Sequence, residues 1–290
     1  MSDPLNPVPD LSVCVLTHNS ADHILNFLRS LYNTANPVSI ETIVVDNGSQ
    51  DETVDMITST FPQVKVYENR VREPPTIAVN RALRIAGGRY ISLMDHDVII
   101  QPECILRMID FMDNTPDTGI AGPKITTLDG AVEPSAGKFH AALWFFSLEM
   151  FLGMLFPGSK WAGKHFIPTW DLNTTRETDW LVGTCIVIRR ETLDDVGLLD
   201  EGFPWLFDDL DYCSRACKAG WHTFYIHDAE IVHCSPHRYS TRINKSLSAV
   251  RDSGKDNQMS QEKGNNARII FLQSGLRLLR KKWLGGKSIY

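Results

Sequence analysis

Four short apolar runs constrain this chain most. Residues 11–16, 41–46, 64–67 and 89–94 are rich in Val, Ile and Leu, and three of the runs end in polar clusters: Thr17-His18-Asn19, Asp46-Asn47 and Asp95-His96-Asp97. Helical patterns fill the gaps. Ile24, Leu25, Phe27, Leu28 and Leu31 recur at helical spacing after Asn19 or Ser20 as cap, and Ser49-Gln50-Asp51-Glu52 has the form of a capping box for a helix through Thr60. Residues 76–86 predict a third helix, stopped by Gly87-Gly88, and residues 102–112 a fourth. Strands and helices alternating at these lengths build right-handed βαβ units and a mostly parallel sheet. Ligands bind such sheets at the carboxyl ends of the strands, so the three polar clusters should converge on one rim.

Asp95-His96-Asp97 carries the sharpest chemical signal. Two carboxylates at the end of a buried strand are costly unless a cation stands between them and a ligand. A divalent cation on a diphosphate meets that need, because hard cations share their shell among carboxylate, phosphate and water. The competing reading is a pair of strand-end turn caps. Asp46 has the same competitor, as a cap of the Asn47-Gly48 turn.

The second half is less periodic. Residues 126–178 mix aromatics, glycines and prolines. Residues 179–189 read as a strand with a small-residue loop at Gly183-Thr184, and a helix opens at Asp208-Asp209-Leu210-Asp211 and ends at Gly220. Two short strands, 223–226 and 230–233, follow. Six cysteines without a C-x-x-C pair read as reduced thiols, Cys213 and Cys217 packing on one helix face. Residues 1–10 have no apolar core of a signal peptide, and the longest apolar run, 141–156, is shorter than the ~20 residues a membrane span needs. These features predict a cytoplasmic protein.

In this order the motifs Thr17-His18-Asn19, Val44-Val45-Asp46-Asn47-Gly48-Ser49, Asp95-His96-Asp97, Val182-Gly183-Thr184-Cys185 and Phe207-Asp208-Asp209-Leu210-Asp211-Tyr212-Cys213 resemble the family 2 glycosyltransferases. Within them they are most similar to the rhamnosyltransferase and galactofuranosyltransferase branch. The resemblance spans roughly residues 11–236. It implies a GT-A fold, an α/β architecture with a mostly parallel, Rossmann-like central sheet flanked by helices. It also implies inverting transfer of a sugar from a nucleotide diphosphate donor, UDP- or dTDP-linked, assisted by Mn²⁺ or Mg²⁺. A catalytic domain would occupy residues 1–236, its nucleotide-binding half at about 11–125 and its acceptor-binding half at about 126–236.

Carried over by position, Thr17 and Asn19 line the nucleotide pocket, and Asp46 takes the base, at a pyrimidine N3–H. Asn47 and His96 stand in the same strand-end turns and join the nucleotide-facing set, with Asp95. Asp95 and Asp97 form the metal-binding pair, Asp97 the direct ligand, and His233 completes the shell. Asp209 matches the catalytic base; the competing readings are that Asp208, Asp209 and Asp211 are all merely helix N-terminal acids, or that Asp208 is the catalytic one. One stretch departs from the family. Where relatives carry a glycine-rich segment, this chain reads Asn69-Arg70-Val71-Arg72-Glu73-Pro74-Pro75-Thr76, and Arg70 and Arg72 offer diphosphate contacts instead.

Residues 235–290 hold 12 Lys/Arg and three Asp/Glu, a net of +9, against −15 for the remainder. Within this tail (237–290), Ile269, Ile270, Leu272, Leu276, Leu279 and Trp283 alternate with basic residues as in an amphipathic helix that lies on an anionic membrane. A tail helix packed on the domain is the plainer reading. The acidic body excludes nucleic acid as a partner. The expected acceptor is a glycan or a lipid-linked one, with residues 144–156 as a candidate acceptor wall. A non-catalytic nucleotide-sugar or glycan-binding module is the alternative. A dinucleotide oxidoreductase is excluded, since no G-x-G-x-x-G follows the first strand.

Overall fold

The computed structural model describes residues 8–139, 170–204, 207–235 and Arg277; segment 144–156 and the basic tail, apart from Arg277, lie outside the described residues. The strands are β1 (Leu11–Thr17), β2 (Ile40–Asp46), β3 (Lys65–Glu68), β4 (Tyr90–Asp95), β5 (Val98–Ile100), β6 (Thr118–Thr127), β7 (Ala136–Gly137), β8 (Arg176–Thr178), β9 (Trp180–Leu181), β10 (Cys185–Arg189) and β11 (His222–His233). The helices are α1 (Ala21–Thr34), α2 (Thr53–Thr60), α3 (Pro75–Ile85), α4 (Cys104–Asn114), α5 (Arg190–Val196) and α6 (Asp208–Lys218).

The main sheet runs β3-β2-β1-β4-β10-β6-β11-β5, with β8 also on β11. Strands β1 to β4, β6 and β11 share one direction, and β10, β5 and β8 oppose it. The sheet is therefore mostly parallel, with the antiparallel β10 inserted between two parallel neighbours. A small second sheet pairs β7 with β9.

Both faces are covered, which is why the strands read as continuous apolar runs. On one face Leu11, Val13 and Val15 pack with Ile24, Phe27, Leu28 and Leu31 of α1 and with Met108 and Met112 of α4. On the other, Cys14, Ile43, Val45 and Ile91 meet Ala78, Ala82 and Leu83 of α3. The period-two alternation within β1 sorts its residues between these cores.

Register aligns the strand ends. Thr17 lies opposite Asp46, and Leu16 opposite Asp95. The polar clusters thus arrive at one edge, as the alternation predicts.

Several local expectations are corrected. The capping box does not form: Ser49 turns back to bond Asp46, while Asp51 Oδ1 receives Thr53 N–H at 3.1 Å at the start of α2. The two short strands at 223–226 and 230–233 are one strand, β11, with a register shift between Ile226 and Glu230. The single strand at 179–189 is two, because the chain leaves the small sheet after Leu181 and enters the main sheet at Cys185. Cys213 is buried but Cys217 is exposed, and all six cysteines are free thiols. Among the described residues no helix is long and apolar enough to cross a membrane.

Candidate active site

Asp95 ends β4, and Asp97 stands in the tight turn that leads into β5. Strand β5 pairs antiparallel with the last residues of β11, setting His233 opposite Val98, one residue from Asp97. The Cys234 N–H closes the arrangement on Asp97 O at 2.8 Å. One ligand atom each from Asp95, Asp97 and His233 lie within 4.8 Å of one another. Asp97 is 1% exposed and His233 6%.

His233 is held from both sides. Its Nδ1 lies 3.0 Å from Glu133 Oε2, and its Nε2 lies 3.7 Å from Asp97 Oδ1, longer than a hydrogen bond. Burial works against the charged imidazole, but Asp97, Glu133 and Asp95 outweigh it and raise its pKa to about 9. So much negative charge in a half-dry site calls for a cation, and the donors fit one. Two carboxylates suit Mg²⁺ or Mn²⁺, and a buried imidazole nitrogen adds a ligand that Mn²⁺ accepts.

The entry to β10 connects this cluster to a second acidic pair. Thr184 O accepts the Asp95 N–H at 2.9 Å, and Gly183 N–H donates to Asp209 Oδ2 at 3.0 Å. Asp209 Oδ1 accepts the Leu210 N–H at 2.8 Å. Both oxygens of this buried carboxylate thus accept a main-chain N–H at the start of α6. At its neighbour Asp208, burial, then the charges of Asp209 and Asp95, push the pKa up. Phe207, with φ 69° in the left-handed region, makes the abrupt turn that puts both acids at the start of the helix. Upstream, residues 199–203 are clamped to α3 by Asn80, which donates to Leu199 O at 3.0 Å and accepts Leu199 N–H at 3.1 Å, and by Thr76, which donates to Phe203 O at 2.6 Å.

At the other end of the rim four of the predicted nucleotide residues, Thr17, Asn19, Asp46 and Asn47, are linked with Ser49 in one network. Asp46 Oδ1 accepts from Thr17 Oγ1 at 3.0 Å and from Ser49 Oγ, and Oδ2 accepts Ser49 N–H at 2.8 Å. The turn-cap role of Asp46 is thus realised; Oδ2 keeps further acceptor capacity. Asn19, at φ 49°, accepts Gln50 N–H at 2.8 Å. Asn47 is turned toward the 69–73 loop, accepting Asn69 Nδ2 at 3.1 Å and Glu73 N–H at 2.9 Å and donating to Glu73 O at 2.8 Å. His96 is buried, its Nδ1 3.1 Å from Leu16 O, and ties the β4–β5 turn to β1. Arg70 and Arg72 are exposed on their loop.

The structure therefore gathers Asp95, Asp97 and His233, links Asp95 to Asp209, and sets Thr17, Asn19, Asp46 and Asn47 in a separate network. Sequence reasoning missed Glu133, Ser49 and Asn80. Ser49 was legible only as a helix cap. Glu133 belongs to no motif and meets His233 across 100 positions of sequence.

The family model described as glycosyl transferase family 2 matches residues 12–197. An N-acetylglucosaminyl-diphospho-decaprenol L-rhamnosyltransferase of Mycobacterium tuberculosis is 29% identical over 239 residues, 78% of this chain and 76% of the relative. Among solved structures, S. aureus TarS (residues 1–349, with UDP) superposes with TM-score 0.55 at 20% identity, over 94% of this chain and 71% of that one. A mannosyltransferase from Pyrobaculum calidifontis, in complex with GDP-Man and Mn²⁺, does so with TM-score 0.55 at 18% identity, over 97% and 76%. With the motifs in place on a shared fold and the family model covering most of the chain, this protein belongs to glycosyl transferase family 2 and is a glycosyltransferase of GT-A fold, similar to the rhamnosyltransferase branch.

Proposed function

We propose that this enzyme is an inverting, divalent-cation-dependent transferase that moves a sugar from a UDP- or dTDP-linked donor to a glycan or lipid-linked acceptor, with Asp209 as general base. The observation that carries this reading is the Gly183-Thr184 step, which bonds Asp209 on one side and Asp95 on the other. A direct displacement needs a proton acceptor at the incoming hydroxyl and charge stabilisation at the leaving diphosphate, within one sugar's breadth of each other.

In the reaction the acceptor oxygen bonds the anomeric carbon as its proton passes to Asp209. The bond from that carbon to the diphosphate oxygen breaks, and the nucleotide diphosphate leaves with the electron pair. Asp95, Asp97 and His233 would hold Mn²⁺ or Mg²⁺, whose Lewis acidity supports the charge growing on the leaving group. Asp209 is suited to its part because its two backbone donors fix its direction. Thr17 and Asn19 border the nucleoside, and Asp46 Oδ2 receives the pyrimidine N3–H. Asn47 and His96 hold the loops that border the pocket, and Arg70 reaches the diphosphate. The catalytic unit spans residues 1–236, the nucleotide half ending near 125.

A lipid-linked acceptor suits the +9 tail, which would keep the protein at the anionic inner face of the cell membrane. The relative from Mycobacterium tuberculosis is named for a decaprenol-linked acceptor.

The test is thermal stabilisation by UDP-, dTDP-, GDP- and CMP-sugars, each with Mn²⁺ and with EDTA. A metal-dependent rise in Tm with one pyrimidine diphosphate sugar is expected. No rise with any sugar nucleotide would refute the proposal. Co-sedimentation of the full chain with anionic liposomes, lost on truncation after Lys245, tests the membrane part; no co-sedimentation of the full chain would refute it.

A further inference from the structure

The imidazole of His233 presents one nitrogen to the acidic pair and the other to Glu133. A histidine serves a cation only if the nitrogen facing it carries the lone pair, and the hydrogen bond at the other nitrogen decides that. Glu133 is placed for this by local folding. Strand β6 overshoots to Thr127, turns at Asp129-Gly130, and returns with Val132 bridged to Thr126 and Glu133 N–H on Ile125 O at 2.8 Å. Because β6 pairs in parallel with β11, with His233 opposite Thr127, the returning residue lands beside the ring. Its Oε2 lies 3.0 Å from Nδ1. An ionised carboxylate only accepts, so Nδ1 is the donor and Nε2 is the nitrogen left for the cluster.

We propose that Glu133 is a positioning residue of the metal site: it fixes His233 in the form protonated at Nδ1, with Nε2 directed at the cation shared with Asp95 and Asp97. This rests on the cation-dependent reading of the site. Glu133 lies outside the cluster of three ligand atoms and acts only through His233. The Glu133 side chain is 21% exposed and that of His233 8%, so the pair is shielded from water far more than a surface ion pair.

The experiment is titration of Mn²⁺ into the full-length protein, with and without UDP, followed by the loss of the free Mn²⁺ electron paramagnetic resonance signal. It compares the natural chain with Glu133→Ala, Glu133→Gln and His233→Ala, each first checked for a native circular dichroism spectrum. Loss of a second-shell partner commonly costs 10- to 100-fold in metal affinity. Glu133→Ala should show a loss in that range. Glu133→Gln should recover most of it, because its amide oxygen still accepts from Nδ1. Glutamine behaving like alanine would show that charge alone is at work, and would overturn the proposal. Glu133→Ala binding Mn²⁺ as tightly as the natural chain, while His233→Ala does not, would overturn it and leave the metal site standing. His233→Ala binding normally would remove His233 as a ligand, and Glu133 with it. Failure of the natural chain to bind Mn²⁺ at all would overturn the underlying metal reading itself.

Discussion

Replacing Asp209 by asparagine removes the charge and the proton-accepting capacity and keeps the shape. The carboxylate now receives Gly183 N–H at 3.0 Å and Leu210 N–H at 2.8 Å. An asparagine has one acceptor oxygen, so its amide NH₂ must face one of those donors. That leaves a buried N–H without a partner, at roughly 1–3 kcal/mol of stability. A domain of this size tolerates such a loss and stays folded. The catalytic cost is larger. General-base assistance contributes about 10²–10⁴ in rate, which corresponds to about 2.7–5.4 kcal/mol of activation free energy. The assay is single-turnover sugar transfer with saturating donor, beside donor affinity by calorimetry with Mn²⁺ present. The expected result is unchanged donor affinity with transfer reduced a hundredfold or more. Transfer within a few-fold of the natural rate would refute the assignment of Asp209, and Asp208→Asn would then become the next variant to make.

Asp97→Asn should abolish the metal-dependent part of donor binding; calorimetry that gives equal affinities for the variant and the natural chain, with and without EDTA, would count against the site. A pH prediction follows from His233 in the metal-free protein. Its pKa is about 9 in the folded state against 6.5 when free, so its contribution is fully present below about pH 6.5 and is lost as pH rises through 9. The shift corresponds to about 3 kcal/mol, so urea unfolding in EDTA should show the natural chain losing roughly that much more stability than His233→Gln between pH 6 and pH 9.5. Equal losses would refute it. Asn80→Ala strands both polar groups of the Leu199 peptide and should cost about 1–3 kcal/mol in urea unfolding; an unshifted midpoint would show that the clamp contributes nothing.

The sheet and its rim were legible because the signals were local and repeated. Leu11 to Leu16 is apolar apart from Ser12, Gly87-Gly88 stops a helix, and the polar clusters stand where strands end. Asp95, Asp97, Asp209 and His233 were legible because their motifs resemble those of a family. What was not legible depends on partners distant in sequence. Ser49 reads as a helix cap until Asp46 is known to lie in the same turn with its carboxylate pointed back. The 179–189 run reads as one strand because hydrophobicity alone does not show that Leu181 and Cys185 belong to different sheets. Strand β5 has three residues and α5 seven, too short for a period to register. Glu133 becomes meaningful only once β6 and β11 lie side by side.

The Gly183-Thr184 step has a further consequence for how such an enzyme changes over time. The link runs from the Asp209 carboxylate through Gly183 N–H and Thr184 C=O to the Asp95 N–H, so two neighbouring main-chain groups form its middle. Substitutions in the surroundings on either side leave these two main-chain groups in place. An insertion or deletion between Leu181 and Cys185 has no such freedom, since it displaces both groups together. Diversification in this scaffold should accumulate as altered side chains and altered distant loops around this step.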